Sequence, residues 1–576
     1  MKNNFAIGKV VAIMAAAFIL LAGLGQAAEI PPWPDGWSRE ELVSGDINLN
    51  TLNFNMAVDN TGDAVYYLRA MGLVNEMNLG LFRYEPGQGY QLSREFSRGA
   101  MYIKNSYVII DEQGRKRLVW TEERRRKDYS KYYLLQYAIL DRNNGFLLKP
   151  QELFQDDYPL SDLRVKEGPD GFTHIFWTGR GQYDYHGFHL AADTMGQLAL
   201  PPQAVIKMGH TVNRGDFYLT ADGSLHIAWT QVEDDGEHLY YAVYNQNREL
   251  LREPVDFGVV SLFAVDQMDG RTIQLERCYP RLTGWDDRVA LVWNQIPGGS
   301  RAQYAYNIEL QFFSQKGDFI GERIELSSYN YLSTHPDVAV LGDRMAVAWH
   351  EVMGDFSHVF FAEVNKEGEV LQGRMRLDLK KATALRPKIV IAGTGNDYLI
   401  FWTRVGEDGG YLASKNTIYP EEPSLWYKLG IGESQPIQSL LYVFVTDLLL
   451  AFVYSIPSFM VVAIGFFALS LLGRWVGDKW LDDNFNLVCF FLFSLFFVLK
   501  DTILFPYKPF PIPATLQWIN FIISTFLVTF FFNRLRRDSG WPGLKTSMGK
   551  LLISYAWVYF YTFLIAIPQL IYQLNK

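Results

Sequence analysis

At 576 residues, with two cysteines, the chain is too long for one ordinary domain and too poor in cysteine to be a disulfide-built scaffold. Apolar residues at 49% and aromatics at 15% exclude a disordered chain. The net charge of −9 is uneven: residues 437–576 hold ten Lys/Arg against six Asp/Glu, residues 1–28 add two lysines, and the rest carries about −15, which excludes nucleic acid and a tightly apposed anionic membrane surface as its partners.

In chain order, residues 1–28 read as a secretory signal peptide: Lys2 and Lys9, an apolar core from Val10 to Leu24, then small residues ending at Ala28. Residues 29–37 read as a stiff, Pro-rich linker. A repeat then begins. Each copy has an acidic turn, an alternating apolar run and a tryptophan: Asp111 and Gly114 lead to Trp120, Asp170 and Gly171 to Trp177, Asp222 and Gly223 to Trp229. Asp286 and Asp287 lead to Trp293, Gly342 and Asp343 to Trp349, Asn396 and Asp397 to Trp402, while the first copy, from Asp59 to Gly62, ends on Tyr67. The anchors are 53, 57, 52, 64, 56 and 53 residues apart, a period that marks a repeat architecture.

Residues 213–258 show the unit: four short runs of period two, separated by turn residues, which is a propeller blade. Residues 38–420 are therefore expected to form a seven-bladed β-propeller of four-stranded blades. The last unit stops one strand short, so the stretch from Glu41 to Ile47 is expected to complete it and close the ring, removing an open edge. The tryptophans are expected at equivalent second-strand positions, packed between blades. No Kelch or WD40 pattern recurs, and the Asp-box of sialidase-type propellers is echoed only loosely, with glycine too far ahead of the tryptophan.

Residues 421–436 read as a juxtamembrane linker, and residues 437–576 as an all-α transmembrane helical domain. Its apolar runs are 437–472, 485–499, 514–532 and 551–571. The loop 533–550 carries five basic residues and belongs on the cytoplasmic side, which gives four spans, with five as the alternative. The expected localisation is a multi-pass cell membrane protein with the propeller on the extracytoplasmic side.

In propellers the first strand of each blade lines the axis. Here those strands open with Asn55, Asp162, Arg164, Asp216, Arg281, Asp337 and Lys388, a charged ring able to hold a polar ligand or simply a compensated, water-filled channel. Arg180, Glu351 and Arg404 fall in loops assigned to the same face, and loops on a rigid scaffold carry function. His186 and His189, three apart in a strand, point to opposite faces and cannot share a metal. No metal and no cofactor are expected, nor is a Gly-x-Ser-x-Gly elbow or a phosphate loop present.

The function expected from these residues is an exported, membrane-anchored binding or scaffold module for a cell-envelope glycan or protein partner, more a binder than an enzyme. The alternatives are a sialidase-like glycan hydrolase and a sensor or accessory subunit of a membrane complex. The hydrolase requires converging arginines, a Tyr/Glu pair and an acid. Arg164 and Arg281 qualify, but the matching first strands supply no third arginine.

Overall fold

In the computed structural model each of the six tryptophan-ended runs, and the run that ends on Tyr67, is the second strand of a four-stranded antiparallel blade, and seven blades form a propeller, the second of them extended by a short parallel strand, Asn53–Phe54. The described residues lie between 34 and 422, leaving aside 35, 48–52, 60, 63, 73–74, 181–184, 207–211, 266–271, 275, 297–304, 328–330, 379–382, 393–396 and 407–408. The inner strands of blades 1 to 7 are Met56–Val58, Tyr102–Ile110, Ser161–Glu167, Val212–Leu219, Arg281–Trp285, Leu332–Leu341 and Thr383–Ala392. The longest repeat step, between Trp229 and Trp293, has a local cause: Phe263–Val265 pairs with Thr272–Gln274 in an extra hairpin between blades 4 and 5.

Alternation in the second strands drives the packing. Trp120, Trp177, Trp229, Trp293, Trp349 and Trp402 are all fully buried. Seven apolar clusters each span two neighbouring blades, so the core is a ring of seven interfaces. A buried tryptophan removes about 150–250 Å² from water, or about 4–6 kcal/mol at 25 cal/mol per Å². Three indoles also find an acceptor two residues on: Trp120 donates to Glu122 at 2.7 Å, Trp293 to Gln295 at 3.0 Å and Trp349 to Glu351 at 2.9 Å. Side chains two apart share a strand face, which is why a Trp-x-Glu/Gln pattern can do this.

The ring closes through its N-terminal strand. Glu41–Ile47 pairs antiparallel with Gly409–Asn416, the outermost strand that the C-terminal half supplies to blade 7. Val43 enters the core between blades 7 and 1. Trp37, expected in the linker, is buried between blades 6 and 7 with its ring edge-on to Phe361 at 5.1 Å. The Ser38 N–H donates to the Asn416 carbonyl at 2.7 Å, and Arg39 pairs with Glu421 at 2.7 Å.

The expected fold class needs correction. The described chain is an all-β seven-bladed propeller, and among the described residues no helix is long and apolar enough to cross a membrane. The expected signal peptide (1–28) and the transmembrane spans (437–576) fall outside the described residues. They rest on apolar runs and flanking charge, which do not by themselves establish a helix. The multi-pass localisation and the membrane as an integral partner are withdrawn with them.

Candidate active site at the axial mouth

The register places the axial side chains. In six blades the inner-strand residue opposite the one preceding the tryptophan, or Tyr107, Arg164, Asp216, Arg281, Asp337 and Lys388 in turn, lines a single cavity of about 290 Å³, with Asn55 and Lys166. Arg164, Asp216, Arg281, Asp337 and Lys388 are therefore together. Asp216 accepts from Lys166 at 3.0 Å and from the N–H groups of Phe217 (2.9 Å) and Leu282 (2.8 Å). Asp337 accepts from Lys388 at 3.0 Å and from the Ile389 N–H at 3.0 Å, with Arg281 at 3.4 Å. Arg164 pairs with Asp162 at 2.8 Å and donates to the Tyr107 hydroxyl at 3.3 Å. Burial opposes ionisation of Asp216, but Lys166, Arg164 and Arg281 outweigh it and hold its carboxyl below the usual range. Burial lowers the ammonium groups of Lys166 and Lys388, only partly offset by Asp216 and Asp337.

A second tier stands two residues earlier in blades 3 to 7: Asp162, Arg214, Tyr279, His335 and Arg386. Bulges shape it. The register slips between Ser161 and Arg164, between Thr334 and Asp337 and between Leu385 and Lys388. At those slips Asp162, His335 and Arg386 adopt φ of 47°, 53° and 52°, a left-handed geometry that costs non-glycine residues about 1–3 kcal/mol each and gathers at functional sites.

The tier is continuous across blades. Arg214 reaches Asp162 at 3.9 Å, and its guanidinium lies 4.1 Å from the centre of the Tyr279 ring. The opposite neighbour of Tyr279 is His335, with ring centres 3.6 Å apart, and His350 follows at 5.0 Å. The Arg386 N–H donates to His350 Nδ1 at 3.3 Å. Glu276 accepts from Thr334 Oγ1 at 3.3 Å, and its carboxyl is raised by burial against the pull of Arg214 and Arg386. Burial raises the Tyr279 phenol, with Arg214 opposing and Glu276 adding. Burial, then His350 and the arginines around it, hold His335 well below its ordinary value, so its imidazole is neutral at pH 7; its buried Nε2 has no partner.

This tier corrects two sequence expectations. Arg214 and Arg386 are the arginines missing from the hydrolase pattern, displaced by two positions from where they were sought. With Tyr279 and Glu276 beside them, the mouth holds the residue types of that pattern apart from its acid, and the expectation of a binder more than an enzyme is withdrawn. A signal was present: Tyr279-Pro280-Arg281, His335-Pro336-Asp337 and Arg386-Pro387-Lys388 repeat one pattern in three successive blades.

Three candidates lie elsewhere. Glu351 is fully buried in blade 6 beneath Trp349, where Arg374 grips it through Nε (3.0 Å) and Nη2 (2.5 Å). Arg404 is buried at the seam on Glu40. Both differ from the loop positions expected for them, because the second-to-third connections are short: Arg344–Met353 turns into Phe356–Asn365 through two residues. Arg180 lies over the Tyr158 ring at 4.7 Å. Cys278 packs in the core with its thiol pushed up by burial. His189 pairs with His174 at 3.1 Å rather than with His186. Glu233, Asp235 and His238 have ligand atoms within 4.8 Å of one another, but His238 spends both nitrogens on Asp235 (2.9 Å) and Asp256 (3.1 Å).

No family model and no curated protein matches the sequence. Solved structures are similar in shape. The polysaccharide lyase Uly1 is 11% identical, with a TM-score of 0.40 over 68% of this chain and 94% of that one. An α-L-arabinofuranosidase from Fusarium graminearum is 10% identical, with a TM-score of 0.35 over 54% and 91%. An endo-arabinase from Bacteroides thetaiotaomicron is 10% identical, with a TM-score of 0.31 over 56% and 94%. At such identities and scores these likenesses bear on neither the substrate nor the mechanism of this chain.

Proposed function

We propose that the chain is a glycan-cleaving enzyme of sialidase-like design, with its active site at the mouth of the propeller axis. The observation that supports this reading best is Tyr279, held between the Arg214 guanidinium and the neutral His335 imidazole with Glu276 beside it. A phenol is a weak nucleophile until a base takes its proton and a cation steadies the oxygen that remains. Glu276, made more basic by burial, is the base; Arg214 and Arg386 supply the positive field. The Tyr279 oxygen then bonds to the anomeric carbon as the glycosidic C–O bond breaks. The proton that Glu276 took passes through water at the mouth to the departing oxygen; a second water then attacks the anomeric carbon as its bond to the Tyr279 oxygen breaks, and its proton returns through Glu276 to that oxygen, which releases the sugar and restores both side chains. His335 keeps the ring in place.

The test is release of reducing sugar by the full-length protein from a panel of neutral and acidic polysaccharides. Y279F is expected to lower the rate about 10²–10⁴-fold at an unchanged melting temperature, and E276Q to act in the same direction. A Y279F protein as fast as wild type, or no release from any glycan in the panel, would overturn the reading.

A further inference from the structure

The cavity below the mouth has a one-sided hydrogen-bonding capacity. Its carboxylates are occupied: Asp216 takes one ammonium and two backbone N–H groups, and Asp337 takes one ammonium, one N–H group and Arg281. Its cations keep donors in reserve. Lys388, with three protons, makes one hydrogen bond, to Asp337, and Arg281 makes one, to the Pro280 carbonyl at 2.9 Å. Four cations, Arg164, Lys166, Arg281 and Lys388, face two carboxylates on the wall. Spare donors with occupied acceptors suit a ligand that only accepts, and guanidinium forks match planar or tetrahedral oxyanions.

We propose that this axial cavity is a subsite for an oxyanion carried by the saccharide, so that the substrate is an acidic glycan whose carboxylate or sulfate group descends from the mouth into the axis. This rests on the mouth being the cleavage site. At about 290 Å³ the cavity is at the small end of ligand pockets, which admits a charged substituent or one sugar ring while the rest of the glycan stays outside. An entering anion also answers the cost the protein bears there. Burial disfavours the charged forms of Lys166 and Lys388, Arg281 and Arg164 repel them, and only Asp216 and Asp337 compensate. Blades 2 and 1 add the Tyr107 phenol, Asn55 and Met56 to this wall, none of them acidic, and Asp162 in the tier above is held by Arg164 at 2.8 Å.

Calorimetric titration of the full-length protein with sodium galacturonate, sodium sulfate and galactose tests the proposal. Galacturonate is expected to bind and galactose not to. K388M and R164M are each expected to weaken galacturonate about ten- to a hundredfold, the worth of a charge-assisted hydrogen bond. Having two variants guards against one that fails to fold, with melting temperature as the check. Equal binding of galactose, binding of neither galacturonate nor sulfate, or folded K388M and R164M with wild-type affinity would each overturn it, whereas sulfate binding without galacturonate would assign the oxyanion to a sulfated sugar. The two readings fail separately. Cleavage unaffected by Y279F with galacturonate still bound removes the catalytic role and leaves the subsite. Tyr279-dependent cleavage of neutral and acidic glycans alike removes the subsite and leaves the catalysis.

Discussion

Closure of the ring by Glu41–Ile47 can be tested with single side chains, because the structure separates those that hold the seam from those that merely lie along it. Trp37 is 3% exposed and packs edge-on to Phe361, while on the strand itself Val43 is 0% and its neighbour Leu42 58% exposed. Truncating a buried tryptophan to alanine costs about 3–5 kcal/mol through lost transfer energy and the cavity left behind. The unit from Pro34 to Glu421 is about 390 residues, and an unfolding entropy of about 2.1 cal/mol/K per residue converts that loss to a fall of about 4–6 °C if the ring melts as one unit. Differential scanning calorimetry of W37A, V43A and L42A in the full-length protein is the assay. W37A is expected to lose the full amount, V43A a smaller part, and L42A nothing measurable. If W37A melted with wild type, or L42A fell as far as V43A, the N-terminal strand would be an ornament on an already closed ring. Deleting residues 38–48 should then also be harmless, whereas the closed-ring argument requires it to be severe.

Other expectations follow from buried groups. R404M should destabilise by about 3–5 kcal/mol, since it strands Glu40 without its cation at the seam, read by urea unfolding at pH 7; E40Q/R404M together should recover much of that loss. The pH profile should show His226, buried against the Tyr241 hydroxyl at 2.6 Å and lowered by burial to about 4. The unfolded state takes up this proton near pH 6.5 and the folded state only near 4. Stability is therefore intact above pH 6.5 and falls as pH drops towards 4, by roughly 3 kcal/mol for this group, and H226Q should flatten that slope in chemical denaturation at stepped pH. Galacturonate affinity should fall as pH rises through the lowered titration of Lys388 and Lys166, with K388M removing part of the dependence.

The sequence carried the blade count because every blade repeats the same local request: a turn, an alternating strand and a ring large enough to fill the gap to the next sheet. It carried the axial residues for a related reason, since pairing fixes which inner-strand side chain stands opposite the residue before each tryptophan. Polarity two residues after a tryptophan resembles the start of a loop, but at Glu351 and Arg404 it marks the acceptor under an indole and the ion pair at a seam. The mouth tier was harder to read. Strict alternation does not predict an extra residue, and the left-handed turns at Asp162, His335 and Arg386 are what re-aim those side chains. Proline after His335 and Arg386 is the trace that local chemistry left in the sequence, since a residue with no N–H cannot join the ladder at the slip.

The distribution of the site around the ring gives closure a functional meaning. Asp162, Arg214, Tyr279, His335 and Arg386 come from five consecutive blades, and the axial cations Arg164, Lys166, Arg281 and Lys388 from three of those same blades. Blades 1 and 2 contribute only Asn55, Met56 and Tyr107 to the cavity, none of them charged. The arc that holds the chemistry is thus completed by blades that add little chemistry, and the seam at Glu41–Ile47 falls beside blade 7, which supplies Arg386 and Lys388. A loosened seam would let that end of the arc drift. The contacts to suffer first would be those blade 7 makes across the gap to blade 6: Lys388 on Asp337 at 3.0 Å and the Arg386 N–H on His350 at 3.3 Å. Distances of that kind fix where a positive charge stands relative to Tyr279, and a misplacement of about 1 Å can cost a hundredfold in rate. W37A, measured well below its melting temperature, should therefore lose glycan cleavage out of proportion to the small fraction unfolded, with the loss in kcat. If its rate per folded molecule matched wild type, the seam would serve stability alone.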